Sequence, residues 1–569
     1  MDRRVIAAIV LMMAIAMLPA VIFKRPPPAV AAVDSALAVL PSPAATQGTT
    51  ETPTPAAFEP APAPLAGEAP VAIPTVPERV VQVHTPLATY GVSTRGGRLV
   101  EATLMEYRSM VPGEESEAAQ ILPVGSDLLG LRLVVGPDTL SLRDWDFTPS
   151  SGTLTISQPT TLTFSASQGR VNVVLAYHFE PTHYRIEVEG RIEGLGPNGG
   201  ALLIGMGPGL RNTESDSAEH LRELAVVTKA QGTSKTSFGK LDEDAATDLS
   251  GPFEWVAVKS KYFVTAVFAL DTAPGGMAGR ISGVRARRLG STRSQAEIQA
   301  SLPITADGQI RYSMYAGPME YPHLKAVGHE FDDVNPYGWP GFRTIIRPVA
   351  VAGRWLLVFM HDSLGVSYGV ALILFGILIR LALWPLNQKA MRSSMAMQAV
   401  QPLIKDVQTR FKDDPQRLQQ ETFKLYKEHG VNPLGGCWPM LIPMPILLAL
   451  FFVFMNTIEL RGAPFLWLND LSRPDPFYII PVMMGVSMFA VSKIGQMGMP
   501  PNPQAKMMLY VMPVMMMVLF LRFASGLNLY YAVQNVASLP QQWLIAKERM
   551  KLNPKAPPPK DRAQKTKKK

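Results

Sequence analysis

Arg380 stands in the run Gly369-Val-Ala-Leu-Ile-Leu-Phe-Gly-Ile-Leu-Ile-Arg-Leu-Ala-Leu-Trp-Pro385, and from Leu364 to Leu386 no other side chain ionises apart from a tyrosine. A run of this length reads as a membrane-spanning helix. A charge near the centre of such a helix costs about 2.5 to 3.5 kcal/mol on insertion scales, so it marks a polar cavity or a pathway. The competing account is snorkelling, because Arg380 lies about five residues from the middle of the run, roughly 7.5 Å at about 1.5 Å per residue. Gly369, Gly376 and Arg380 recur at i, i+7 and i+11. They share one helix face, where the glycines leave room for water or a neighbour beside the guanidinium.

A second polar set lies near the C-terminal end. Asn528, Tyr531, Asn535, Ser538 and Gln542 fall at i, i+3, i+7, i+10 and i+14 on a helix whose other faces are apolar. Hydrocarbon does not solvate such a stripe, which therefore faces other helices as hydrogen-bonding glue or lines a wet cavity. Taken with Arg380, it favours a partly hydrated groove inside the membrane. Methionine is concentrated nearby: Met507, Met508, Met512, Met515, Met516 and Met517 surround Pro513, and Met440 and Met444 lie among Pro439, Pro443 and Pro445. Methionine fills core gaps, and its adaptability also suits a surface that accepts many apolar partners.

Catalytic chemistry has little to work with. The eight histidines form no H-E-x-x-H or similar metal-ligand pair, and Cys437, the only cysteine, permits neither an intramolecular disulfide nor a cysteine-cluster metal site. No nucleotide-binding motif is present. Asp144-Trp145-Asp146 offers a carboxylate pair, but its setting is that of an exposed strand end.

These residues must be held by a polytopic α-helical membrane protein of about six spans, with a large exported all-β sandwich domain and a cytoplasmic αα-hairpin. The first 25 residues carry Arg3 and Arg4 ahead of an uncharged run from Val5 to Phe23, a signal anchor or a cleavable signal peptide. Retention as an anchor is favoured, since the run exceeds a usual signal-peptide core and the A-x-A-like site Ala29-Val30-Ala31 falls beyond a triple proline. Residues 26–77 are rich in proline and alanine and form an extended linker. Residues 78–338 show period-two runs such as Leu131-Arg-Leu-Val-Val, Val171-Asn-Val-Val-Leu and Tyr184-Arg-Ile-Glu-Val-Glu-Gly, the pattern of a sandwich of two antiparallel sheets.

Residues 339–361 place Arg343, Arg347 and Arg354 beside Phe342, Ile345, Ile346, Val349, Trp355 and Leu356, which suggests a helix lying in the membrane surface. An ordinary amphipathic helix packed under the sandwich is the alternative. Residues 364–546 form a five-helix membrane core interrupted by the hairpin at 387–430, whose second helix restarts with Asp414 as N-cap and Pro415 at its first position. Val400, Leu403, Ile404, Val407 and Phe411 make the hairpin's apolar stripe, and Met391, Met395 and Met397 its adaptable base. The remaining apolar stretches are 437–457, 477–492, 507–521 and 526–546. A basic tail, 547–569, closes the chain. The hairpin holds eight lysines and arginines and the tail ten, against two and one in the loops 458–476 and 522–525. Hairpin and both termini are accordingly expected in the cytoplasm and the sandwich outside.

Val431-Asn-Pro-Leu-Gly-Gly-Cys437, Met444-Pro-Ile-Leu-Leu-Ala-Leu450, Asp475-Pro-Phe-Tyr478 and Ser525-Gly-Leu-Asn-Leu-Tyr-Tyr531 resemble the signature segments of the YidC/Oxa/Alb family of membrane protein insertases. The resemblance is dense from Trp339 to the tail and thinner over the exported domain, through Thr94-Arg-Gly-Gly97 and Tyr315-Ala-Gly-Pro318. It implies the Gram-negative form, resident in the inner membrane with a periplasmic β-supersandwich, and an insertase and chaperone rather than an enzyme, with no cofactor, metal or small-molecule substrate. It implies that Arg380 sits in a hydrophilic groove open to cytoplasm and lipid but closed outside. Gly376, Asn528, Tyr531 and Asn535 join it there. The spans 437–457 and 507–521 are implied to form an apolar slide bearing Met440, Met444, Phe451, Met508, Met512, Met515 and Met516. The implied partners are nascent membrane proteins, received by the hairpin, the Sec translocon (SecYEG, SecDF), membrane lipids, and the ribosome through the basic tail.

Two positions depart from the family. Pro443 stands where a polar residue is common, and Arg522 where an aromatic is. Two other readings stay open: a small-anion transporter with Arg380 as its anion site, which predicts internal repeats among the spans, and an envelope scaffold merely anchored by its helices. A pure anchor has no use for Arg380 or for the 528–542 stripe.

Overall fold

The computed structural model describes residues 77–195, 200–270, 280–291, 293–304, 307–338, 341–412, 414–429, 444–498 and 503–552. The N-terminal segment, nearly all of the linker, the tail beyond 552, Met440 and Pro443 lie outside the described residues.

The alternating runs are strands. Val171–Phe179 turns Val173, Leu175, Tyr177 and Phe179 inward and pairs on both sides, with Thr160–Gln168 and Arg185–Glu193, in antiparallel register. The described strands form three sheets, of five, nine and six strands, where the sequence pattern predicts two, and one pair, Val83 with Leu154, is parallel. The difference has a physical source in the nine-stranded sheet, where Ala225–Lys229 and Trp255–Lys259 are buried at every position. Strands covered on both faces carry no period-two signal. One continuous core takes residues from all three sheets.

Of the two short motifs of the β-rich domain, Thr94–Gly97 forms a turn, whereas Tyr315–Pro318 ends the strand Gln309–Pro318 and pairs with Phe263–Ala266. Gly96 and Gly97 both have positive φ, and a Cβ on Gly96 would lie 2.6 Å from the Arg143 carbonyl oxygen. Tyr177 donates to the Gly97 carbonyl at 2.7 Å, tying this turn to the sheet. Asp144-Trp145-Asp146 is likewise structural, with Trp145 buried and Asp146 paired to Arg95 at 3.6 Å.

Ten α-helices are described. Two are short: α1 (Ser217–Glu223), capped by Asp216, and α2 (Tyr321–Val327). Then come α3 (Arg343–Leu364), α4 (Tyr368–Ala382), α5 (Trp384–Arg410), α6 (Pro415–Glu428), α7 (Met444–Asn456), α8 (Ile479–Gly495), α9 (Pro503–Phe520) and α10 (Ser525–Leu552). The apolar run predicted from Leu364 is broken near its start, because Gly365 takes a left-handed conformation behind α3 and Ser367 caps α4. At 15 residues α4 is about 22 Å long, short of the roughly 30 Å hydrocarbon thickness. Only Leu383 separates it from α5, whose second residue is Pro385.

Among the described residues the helix long and apolar enough to cross a membrane is α3, the one expected at the surface; α4, α7, α8 and α9 are shorter apolar helices. The hairpin restart is as expected: Asp414 accepts from the Arg417 backbone N–H at 3.0 Å, and Pro415 opens α6. Val400 and Ile404 of its stripe are buried, whereas Leu403 is 41% exposed.

Candidate functional site

Other parts of the chain approach the glycine face of α4 closely. A Cβ on Gly369 would fall 2.0 Å from the Phe465 ring, and one on Gly376 3.0 Å from Val533 on α10. Small residues let helix backbones draw together, and here that closeness creates polar contacts. The Gly376 carbonyl accepts from Gln534 Nε2 at 2.8 Å. One turn further on, half-buried Arg380 donates from Nη2 to Gln541 Oε1 at 2.9 Å, and Gln541 in turn donates to the Trp384 carbonyl at 2.9 Å. Gln541 is 1% exposed. The Arg380 Nε is buried without a partner, and among the described residues no carboxylate lies within 4.0 Å of the guanidinium.

The structure divides the predicted groove set. Asn528 is fully buried and donates to the Phe520 and Phe523 carbonyls at 3.0 and 3.4 Å, closing the C-terminal end of α9. Asn535 donates to Ser487 Oγ at 3.2 Å, holding α10 to α8. Tyr531 lies edge-on to Phe520, with ring centroids 5.2 Å apart. The stripe thus faces α8 and the end of α9 as helix-packing glue, and the polar residues of α10 that meet α4 are Gln534, at the Gly376 carbonyl, and Gln541, at Arg380. These two repeat at i and i+7, about 100° round the helix from the predicted stripe. Their spacing was the available signal: α10 carries two polar stripes side by side.

The methionine surface is partly placed. Met508 and Met515 are 48% and 44% exposed, Met512 is half-buried, and Met516 packs against the helical core. Phe451 of α7 contacts Phe523, just beyond α9, at 6.0 Å between ring centroids. Met444 opens α7. Arg522 is exposed at the turn between α9 and α10.

The three arginines of α3 are turned toward protein, where the sequence pattern placed them among headgroups. Arg343 pairs with Asp333, Arg347 with Asp332 and Asp333, and Arg354 with Glu459 and Glu320. Burial pushes the Glu459 carboxyl above the usual carboxylate range, against the pull of Arg354. The exposed large apolar residues of this helix are Ile345, Trp355, Phe359 and Leu364, with Phe342 exposed at its N-cap. A helix whose arginines are paired within the protein and whose exposed large residues are apolar suits contact with lipid.

Among the described residues no group of three His, Cys, Asp or Glu side chains could hold a metal ion. At the α4–α10 contact a cation is held by a neutral amide, an arrangement chemically suited to bind water, a headgroup or an acidic group.

The fold and this site define a helical membrane protein carrying a β-rich domain ahead of its main helical region. The comparisons narrow the class. Residues 80–351 match the family described as YidC periplasmic domain, and residues 359–553 that described as 60Kd inner membrane protein. The membrane protein insertase YidC of Chloroherpeton thalassium is 31% identical over 504 residues, covering 82% of this chain and 83% of its own. That of Nitratidesulfovibrio vulgaris is 32% identical over 486 residues, covering 82% and 86%. A solved structure described as an active YidC insertase with the first transmembrane domain resolved is 19% identical, with a TM-score of 0.33, and covers 83% of this chain and 95% of that one. The chain belongs to the YidC family of membrane proteins.

Proposed function

We propose that this chain is a membrane protein insertase that works without enzymatic chemistry. The observation that carries the reading is the setting of Arg380: half-buried in an apolar helix, bonded to the neutral Gln541, and without a carboxylate in reach among the described residues. A charge kept in that position at a cost of about 2.5 to 3.5 kcal/mol is compensated by something it meets in function. The polar or acidic flank of an entering segment supplies that partner. Its apolar part then leaves into lipid along the methionine-bearing helices, driven by burial at roughly 25 cal/mol per Å². Membrane potential adds about 2.3 kcal/mol per charge per 100 mV on an acidic flank.

The lysine and arginine distribution supports a cytoplasmic hairpin and C-terminus, with the β-rich domain in the periplasm. In this reading the hairpin receives the nascent chain, the basic tail contacts the ribosome, and the protein works alone or beside the Sec translocon. The test is photo-crosslinking from positions 534 and 541 to a ribosome-arrested single-span membrane protein. Adducts are expected at both and not at Leu381, which is 58% exposed on another side of α4. Equal capture at all three positions would mean that the substrate does not follow the Arg380 face.

A further inference from the structure

The loop that follows α7 is bound into the β-rich domain by side chains that are almost wholly buried. Arg461 is 3% exposed at its side chain. Its Nε donates to both Glu214 oxygens at 2.9 and 3.1 Å, its Nη1 to the Arg108 carbonyl at 2.8 Å and its Nη2 to the Thr213 carbonyl at 2.9 Å. The guanidinium lies 5.2 Å from the Phe263 ring centroid and 5.9 Å from that of Tyr262. Ile458, three residues earlier, is 3% exposed and belongs to the core of the β-rich domain, whereas Leu460 belongs to the helical core. Asn456, the last residue of α7, donates to the Pro336 carbonyl at 3.3 Å.

A second anchor meets the same loop from α3. Arg354, 7% exposed, bridges Glu459 of the loop and Glu320 beside α2, with the Tyr321 ring 5.8 Å from its guanidinium carbon. Glu320 also accepts from the Tyr107 hydroxyl at 3.0 Å. One short loop is therefore held by the β-rich domain, by α3 and by the helical core together. Buried, multiply bonded arginines do not drift as exposed ion pairs do, and breaking such a pair leaves an uncompensated buried charge.

We propose that Arg354 and Arg461 are positioning residues that pin the outer end of α7 to the β-rich domain, so that α7 is a fixed wall during insertion and the helices that yield to a substrate are others. This rests on the insertase reading and adds to it which helix stays still and what holds it.

The experiment uses the full chain in proteoliposomes and compares wild type with Arg354→Gln, Arg354→Lys, Glu459→Gln and Arg461→Gln. Hydrogen exchange of residues 456–462 reads the joint, and insertion of a single-span membrane protein reads function. Slow exchange of 456–462 is expected in the wild type. Arg354→Gln and Arg461→Gln should accelerate it at least tenfold with exchange at 376–383 unchanged. Insertion should fall about tenfold in Arg354→Gln and recover in part in Arg354→Lys. Wild-type exchange as fast as that of an open loop would overturn the proposal, and so would variants that free the loop yet insert normally. If the wild type inserts nothing, it is the insertase reading that fails, and exchange still reports whether the joint is closed.

Discussion

Buried charge behaves differently on the two sides of this molecule. In the β-rich domain Lys259 is 5% exposed at its side chain, with Asn335 Oδ1 at 3.3 Å and Glu223 at 4.0 Å, and burial together with nearby Lys235 pushes its ammonium down to about 7. The unfolded chain takes the proton at the ordinary lysine value of 10.5, the folded one only near 7. The unfolded state therefore holds more protons across that window, and the domain loses stability as pH falls from about 10 to 7. Lys259→Met should raise stability at pH 7 and flatten this slope, read by denaturant unfolding followed through buried Trp255; an unchanged slope would show that another group sets it. Arg380 has no such escape at any accessible pH, since a guanidinium does not give up its proton, and so it must find partners. Arg380 was legible in the sequence because one charge in a long apolar run has no background to hide in. Gln534 and Gln541 were not singled out, because the neighbouring stripe of Asn528 and Asn535 supplies a stronger polar pattern on the same helix.

At the scale of elements, α10 is held by two polar seams that do different work. One joins it to α8 through Asn535 and Ser487, and the other joins it to α4 through Gln534 and Gln541. Interhelical hydrogen bonds within membranes are worth roughly 0.6 kcal/mol on average and at most about 1.7. A double-mutant cycle of Asn535→Ala and Ser487→Ala in detergent unfolding should give a coupling in that range, whereas additive losses would mean that the contact does not hold the helices together. The hairpin was readable from Asp414 and Pro415 because capping is local chemistry. The break at Gly365–Ser367 was not, since every residue there passes in an apolar count and only the left-handed glycine and the serine cap reveal the turn. The three-sheet arrangement was hidden for a related reason, as strands buried on both faces carry no alternation.

For the whole molecule, the β-rich domain is not a passenger on a tether alone. Ile458, in the loop after α7, completes its core. Ile458→Ala should therefore destabilise the β-rich domain by about 2 to 5 kcal/mol, the usual cost of a large-to-small core change. Protection of β-strand amides in the full chain is the readout; loss confined to the helical region would contradict the shared core. None of this could be read from the sequence, because Arg461 and Glu214 stand 247 residues apart and a loop arginine looks like any solvated charge. The pairing of the α3 arginines with Asp332, Asp333, Glu320 and Glu459 was concealed in the same way, since a basic amphipathic pattern does not say which acids it will meet.

The central claim is that the charge on α4 acts on substrates. The most direct measurement is complementation of an insertase-depleted Gram-negative strain by wild type, Arg380→Lys and Arg380→Ala at matched expression, scoring insertion of a short single-span protein with an acidic exported tail. The account predicts that wild type and Arg380→Lys restore insertion while Arg380→Ala does not. Equal rescue by all three would contradict it and leave Arg380 a snorkelling residue held by Gln541 for structure alone.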